Sequence, residues 1–225
     1  MLPPFDSLLF DFDGTLAVLK LDFDEMRRRL LALAVGQGLP SEELCGMFVL
    51  EMVDHATALL RKRQPALALA FYRDAHQLIQ DIEVEAARHS ELLPGVNDLL
   101  DTLQRRRIGV GIVTRNCDAA VRMMFPQIDA YCQAFVARDH VAQVKPHPQH
   151  LQTALAHMGS EAARTVMVGD GVIDMQAGKA FGMFSVGVLS GTSTRDRLVE
   201  HGADLVLDSA VDLLPYLAPS KDATV

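Results

Sequence analysis

Residues Ser7–Thr15 read SLLFDFDGT, and this stretch indicates the fold of the chain. Two prolines precede its apolar run, and Asp13-Gly14 follows it, so turn-forming residues bound the run on both sides. A short apolar run with such boundaries predicts a buried strand over Ser7–Phe12 that opens into a loop. Two carboxylates, Asp11 and Asp13, stand at the carboxyl end of that strand.

From Leu93 onward, short apolar runs alternate with amphipathic helical segments. Strands that alternate with helices form a parallel sheet covered on both faces, so we predict an α/β fold with a Rossmann-like core. Strand-like runs disappear between Ala17 and Glu91, which predicts an all-helical insertion of three or four helices. The predicted strands after the first are 108–113, 134–136, 165–168, 184–188 and 203–207. The predicted domains are 1–16 with 92–225 for the core, and 17–91 for the helical insertion.

The composition excludes several classes of partner. Lysine and arginine total 21 against 29 acidic residues, which gives a formal net charge of −8. Such a chain is a poor candidate for binding nucleic acid or an anionic membrane through its overall field. The three cysteines are too few for a disulfide scaffold and have no metal-like spacing. We therefore expect a cytoplasmic protein with no nucleic-acid or membrane partner, present as a monomer or a homodimer.

Polar side chains stand in four places: at the carboxyl ends of three predicted strands, and in the loop that follows a fourth. Ligands of an open parallel sheet bind outside the carboxyl ends of its strands, so these side chains are expected to meet at one edge. Each group alone is weak evidence for a site, whereas their shared position is strong evidence. The residues concerned are Asp11, Asp13 and Gly14; Thr114, Arg115 and Asn116; Lys145; and Asp170 with Asp174.

The clustered carboxylates predict a Mg²⁺ site. Four aspartates at one sheet edge repel one another unless a cation lies among them, and Mg²⁺ prefers oxygen ligands. The predicted metal ligands are Asp11, Asp13, Asp170 and Asp174.

Phosphoryl transfer to a carboxylate is the chemistry that fits this set. Asp11 is expected to attack phosphorus and form an aspartyl-phosphate. Asp13 is expected to protonate the leaving oxygen and then to activate water. Thr114 is expected to donate a hydrogen bond to the transferring group, and Lys145 to neutralise the charge that develops on its oxygens.

Four residues are predicted to contact the substrate. Gly14 leaves room for a close approach of substrate, and Asn116 follows the predicted strand that ends at Val113. Arg115 is expected either to contact substrate or to form an ion pair. Lys20 is expected either to reach the organic part of the substrate or to be a solvated lysine.

With these residues, the chain resembles the haloacid dehalogenase-like (HAD) superfamily, in particular its phosphoglycolate phosphatase-like branch. The resemblance implies the HAD fold, a Mg²⁺ held by aspartates and by the Asp13 carbonyl, and a mobile cap formed by the helical insertion. The sequence departs from the branch at Ala17-Val18 and at Gly171. The four stretches that carry the resemblance are Asp11-Phe-Asp-Gly-Thr15, Ile112-Val-Thr-Arg-Asn116, Val144–Pro148 and Gly169–Asp174.

The function predicted from the sequence is hydrolysis of a small phosphate monoester, similar to phosphoglycolate or a sugar phosphate, by a Mg²⁺-dependent phosphatase. The expected partner is therefore a small phosphorylated metabolite. A sugar-phosphate mutase shares every core residue named above, and a non-catalytic receiver-like protein also clusters aspartates, a hydroxyl residue and a lysine. Both alternatives stay open at this point.

Overall fold

The computed structural model describes residues 2–18 and 20–217. Its strands are β1 (Ser7–Phe10), β2 (Gly109–Val113), β3 (Ala134–Val136), β4 (Thr165–Gly169), β5 (Phe184–Val188) and β6 (Leu205–Leu207). Its α-helices are α1 (Phe23–Gly36), α2 (Val49–Arg63), α3 (Pro65–Ala87), α4 (Val96–Arg105), α5 (Asp118–Met124), α6 (Ile128–Tyr131), α7 (Pro148–Met158), α8 (Val172–Ala180) and α9 (Arg195–Glu200). Short 3₁₀ helices span Ser41–Glu43, Arg138–His140, Ala162–Arg164 and Ala210–Tyr216.

The strands form one parallel sheet in the order β3-β2-β1-β4-β5-β6. In this doubly wound order the chain moves outward from β1 to β3 and then crosses to the other side of β1 to form β4. Ligands of such sheets bind at this switch point, outside the carboxyl ends of β1 and β4. The predicted α/β, Rossmann-like parallel sheet is confirmed, although β1 ends at Phe10 rather than at Phe12.

The apolar residues of β1 explain why this strand lies at the centre of the sheet. All four of its residues are buried. Leu8 and Phe10 pack into the apolar cluster on one face of the sheet, and Leu9 packs into the cluster on the other face. Full burial of each of these side chains contributes about 1.5–3 kcal/mol of hydrophobic free energy. The strand that precedes Asp11 is thus fixed by packing on both faces.

The helical segment forms a compact unit of its own over Lys20–Ala86, and the rest of the chain forms the second unit. The predicted boundaries, 17–91, lie a few residues outside this division. The reason is that the two connecting segments pair with each other: Leu93 N–H donates to the Leu16 carbonyl at 2.8 Å, and Ala17 forms an antiparallel bridge with Leu92. The role of the helical unit as a cap remains a prediction. Among the described residues, no helix has both the length and the apolar character needed to cross a membrane.

Candidate active site

Asp11 lies directly beyond β1, at the switch point of the sheet. Its backbone N–H donates to the carbonyl of Val168 in β4 at 2.8 Å, which continues the strand pairing to the first residue of the loop. Its side chain is almost entirely buried, and its Oδ2 lies 3.5 Å from the hydroxyl of Thr15. The sheet therefore positions this carboxylate through backbone contacts that do not depend on the loop.

The ammonium group of Lys145 is buried between two carboxylates. Its Nζ donates to Oδ1 of Asp11, to Oδ1 of Asp174 at 2.6 Å and to the carbonyl of Val113 at 2.9 Å, so all three protons are used. Burial alone lowers the pKa of Lys145, but the charges of Asp11 and Asp174 outweigh burial and raise it. Lys145 is therefore a cation at neutral pH.

Three carboxylates converge beside this lysine. One oxygen from each of Asp11, Asp170 and Asp174 lies within 4.8 Å of the others. Burial raises the pKa of Asp11 well above its ordinary value; Lys145 opposes this rise, and the neighbouring carboxylates add to it. Burial, and then the charge of Asp174, raises the pKa of Asp170 to about 6. One ammonium group offsets only part of this negative charge, and the all-oxygen donor set fits Mg²⁺.

The side chain of Asp13 is not among these three clustered carboxylates, and both of its oxygens accept hydrogen bonds from other side chains. Oδ2 accepts from the hydroxyl of Thr114 at 3.1 Å, and Oδ1 accepts from the amide of Asn116 at 3.0 Å. The Thr114 hydroxyl in turn accepts from the Asn116 N–H at 3.0 Å, and Asn116 Oδ1 accepts from the N–H of Cys117 at 2.8 Å. Thr114 and Asn116 therefore hold Asp13 in this structure; their contacts with substrate, and metal binding by Asp13, stay predictions.

A glycine is needed at position 14 for two reasons: its backbone is in the left-handed region, and the side chain of Asp170 lies close to it. Its φ is +78°, and a Cβ at this position would lie 2.7 Å from Oδ2 of Asp170. Asp170 therefore lies close to the backbone of Gly14, on the side where a side chain would stand; contact between Gly14 and substrate stays a prediction.

The sequence pattern of the family described as haloacid dehalogenase-like hydrolase matches residues 8–188. The chain belongs to this family. That match spans the loops after β1, β2, β3 and β4 together with the helical unit. The resemblance predicted from the four sequence stretches is therefore confirmed.

Individual relatives agree with this assignment. A phosphoglycolate phosphatase of Cupriavidus necator is 30% identical over 97% of this chain and 95% of its own length. The pyrophosphatase PpaX of Anoxybacillus flavithermus is 32% identical over 54% of this chain and 58% of its own length. A hydrolase structure from Pseudomonas syringae shares the fold, with a TM-score of 0.68, 23% identity and coverage of 94% of this chain and 97% of its own. The predicted enzyme class, a phosphatase of the HAD-like family, is confirmed, which disfavours the receiver-like alternative.

Arg115 and Lys20 differ in what the structure shows of them. The guanidinium of Arg115 donates to the carbonyl of Lys145 at 3.2 Å, so Arg115 contacts the backbone of the loop that carries the lysine. Lys20 is exposed and is the first residue of the helical unit. Substrate contact by either residue stays a prediction.

The loop after β5 supplies contacts that the sequence analysis did not predict. The hydroxyl of Ser190 donates to the Gly14 carbonyl at 2.7 Å, and the N–H of Thr192 donates to Oδ2 of Asp170 at 3.2 Å. Between them, a Cβ on Gly191 would lie 1.7 Å from the same Oδ2. The sequence rule that indicated the other site residues applies here too, because Ser190–Thr192 follow a buried strand.

His150, in the first turn of α7, was also missed. It is fully buried, and its Nδ1 accepts from the N–H of Lys145 at 3.0 Å while Nε2 lies 2.9 Å from the carbonyl of Val136. Burial lowers the pKa of His150 to about 4, and the charge of Lys145 adds to this shift.

Proposed function

We propose that this chain is a Mg²⁺-dependent phosphatase that hydrolyses a small phosphate monoester through an aspartyl-phosphate on Asp11. The observation that carries the proposal is the placement of the Asp11 carboxylate. It lies at the switch point of the sheet, in contact with the buried ammonium of Lys145 and beside the oxygens of Asp170 and Asp174. HAD-like family membership supports the same chemistry.

Asp11 supplies the nucleophilic oxygen. An attacking carboxylate must be ionised, and the raised pKa of Asp11 means that its burial opposes ionisation. Lys145 favours the ionised form, and its charge also stabilises negative charge that develops on the phosphoryl oxygens. When bound, Mg²⁺ supplies further positive charge for the carboxylates and the phosphate, with Asp11, Asp170 and Asp174 as the side chains that hold it.

Asp13 acts as general acid and then as general base. Asp13 enters the reaction protonated and donates this proton to the oxygen of the leaving group as Asp11 bonds to phosphorus and the bond between phosphorus and that oxygen breaks. The carboxylate of Asp13 then accepts a proton from the water that hydrolyses the aspartyl-phosphate. The two hydrogen bonds from Thr114 and Asn116 fix the orientation of its carboxyl group before substrate arrives.

Small metabolites are the substrate class that we infer. The relative that matches over nearly its whole length is named a phosphoglycolate phosphatase. The net charge of −8 disfavours nucleic acid. Phosphoglycolate, hexose phosphates and pyrophosphate are therefore the compounds to compare first.

The test is release of inorganic phosphate from these compounds, with Mg²⁺ and with excess EDTA, by wild type and by Asp11→Asn. We expect Mg²⁺-dependent release that Asp11→Asn abolishes. Asp208→Asn is the matched control, because the Asp208 side chain is 87% exposed and we expect its activity to equal that of wild type. Undiminished release in EDTA, or from Asp11→Asn, would contradict the proposal. Isomerisation of a hexose phosphate without phosphate release would favour the mutase instead, and faster turnover of phosphopeptides or oligonucleotides would contradict the substrate class.

A further inference from the structure

Lys145 lies on the segment between β3 and α7, which has no strand to hold its backbone. The segment runs from residue 137 to residue 147 and contains only a single short 3₁₀ turn among its described residues. The ammonium group nevertheless has to lie between Asp11 and Asp174, and a displacement of about 1 Å at such a position can cost about a hundredfold in rate. The backbone of Lys145 must therefore be held by contacts outside the segment.

Two side chains hold that backbone. Arg115 donates to the Lys145 carbonyl, and His150 accepts from the Lys145 N–H at 3.0 Å. His150 lies on α7 and is fully buried, so its ring has little freedom to move. Its other ring nitrogen contacts the carbonyl of Val136, the last residue of β3.

These two contacts fix the tautomer of His150. A nitrogen that accepts from an N–H carries no proton, so Nδ1 is the bare nitrogen and Nε2 carries the proton that is donated to Val136. The ring thus bridges the end of β3 and the N–H of Lys145, and it does so only while neutral. The charges of Lys145, Arg115 and His140 all oppose protonation of the ring, in addition to its burial.

We propose that His150 is a positioning residue for the phosphatase reaction: its imidazole ties the backbone of Lys145 to the carboxyl end of β3 and thereby sets the position of the Lys145 ammonium group between Asp11 and Asp174. The catalytic part of this inference rests on the proposed function. The structural part, a hydrogen bond that holds the Lys145 N–H, is independent of it.

Three variants of His150 separate the two contacts of the ring. Asparagine places an acceptor near the position of Nδ1, glutamine places a donor near the position of Nε2, and leucine provides neither. His150→Asn therefore retains the bond to Lys145, whereas His150→Gln retains only the bond to Val136. His157→Leu is the control, because His157 is exposed on the same helix.

The first measurement is steady-state turnover of p-nitrophenyl phosphate. We expect kcat to fall about tenfold to a hundredfold in His150→Leu and His150→Gln, and much less in His150→Asn, with KM changed less than kcat. His157→Leu is expected to match wild type. The inference is overturned if His150→Leu retains at least half of the wild-type kcat, or if His150→Gln is as active as His150→Asn. If His150→Leu does not fold, the comparison of His150→Asn with His150→Gln decides.

The second measurement shows whether His150 acts through Lys145. In a Lys145→Met background we expect His150→Leu to cause no further loss of kcat, because the group that it positions is already absent. A further loss by the same factor would show that His150 acts elsewhere and would overturn the inference. If turnover of Lys145→Met is below detection, the His150→Asn and His150→Gln comparison takes its place.

Hydrogen exchange of the Lys145 amide tests the structural part without any activity. We expect exchange to be at least tenfold faster in His150→Leu than in wild type and near the wild-type rate in His150→Asn. Equal exchange in all three proteins would overturn the inference. If wild type hydrolyses no phosphate ester but the Lys145 amide still loses protection in His150→Leu, the proposed function is contradicted and the hydrogen bond from Lys145 to His150 stands.

Discussion

Replacing Lys145 with methionine tests the buried charge arrangement through stability. Methionine is close to lysine in length, so the main effect is loss of the ammonium from a position that is 2% exposed. Asp11 and Asp174 then remain buried without their cation, and breaking such a buried pair costs about 3–5 kcal/mol. The variant can also fold with one carboxylate protonated, which removes one of the two uncompensated charges. Protonating a carboxylate of ordinary pKa, about 3.9, at pH 7 costs about 4 kcal/mol, and this cost agrees with the range above.

The assay is urea unfolding of Lys145→Met and wild type at pH 7.5 and pH 5, each with EDTA and with Mg²⁺. We expect a loss of about 3–5 kcal/mol at pH 7.5. The loss is expected to shrink at pH 5, because protonating a carboxylate costs about 1.4 kcal/mol less for each pH unit. It is also expected to shrink with Mg²⁺, because the carboxylates bind a cation more tightly once the ammonium of Lys145 is gone, and a cation that binds the folded state stabilises it.

The control is Lys179→Met, which removes an exposed lysine from α8 in the same unit of the chain and is expected to cost less than about 0.5 kcal/mol. A loss below about 1 kcal/mol in Lys145→Met at pH 7.5 would refute the reasoning, because a buried ammonium between two carboxylates cannot be removed so cheaply.

Three further predictions concern neighbouring residues. Asp13→Asn is expected to lower kcat by about 10²–10⁴-fold in the phosphate-release assay, and a loss below tenfold would contradict its acid–base role. Gly191→Ala is expected to raise the Mg²⁺ concentration needed for half-maximal stabilisation against heat, because its Cβ would lie 1.7 Å from Oδ2 of Asp170; Gly36→Ala, with nothing within 4 Å, is the neutral control. The pKa of His150 is lowered from 6.5 to about 4. The neutral ring therefore contributes its full share of the free energy of unfolding above pH 6.5, and this share is lost as the pH falls toward 4. Wild type should therefore lose about 3 kcal/mol more than His150→Asn over this interval in urea unfolding, and parallel stability curves would contradict this.

The pattern of apolar runs predicted most of the sheet because each strand is buried on both faces and therefore reads as a continuous apolar segment. The runs 134–136 and 184–188 match β3 and β5 at both ends. The first strand was predicted two residues too long because Phe12 is as buried as the strand residues, although its backbone lies beyond the pairing. Burial alone does not distinguish a strand from the loop that continues it.

The sequence predicted those site residues that stand at or beyond the carboxyl ends of the strands. The rule on carboxyl ends indicated Asp11, Lys145, Asp170 and Asp174 together, and the structure places their charged groups in contact or within a few ångströms. The partners of those groups were not predictable, because a hydrogen bond across elements leaves no local sequence pattern. The sequence around His150 carries no such pattern, and only the packing of α7 against the end of β3 shows what this residue contacts.

Chemical trapping on the Asp11 side chain tests the central mechanism most directly. The protein is mixed with Mg²⁺ and a phosphate ester that it hydrolyses, and the reaction is quenched during the steady state. The quenched protein is then treated with borohydride, which reduces an acyl phosphate to an alcohol. We predict homoserine at position 11 by peptide mass spectrometry, in wild type with substrate and not without it. Phosphate release with an unmodified Asp11, or with homoserine at another aspartate instead, would contradict the assignment of the nucleophile.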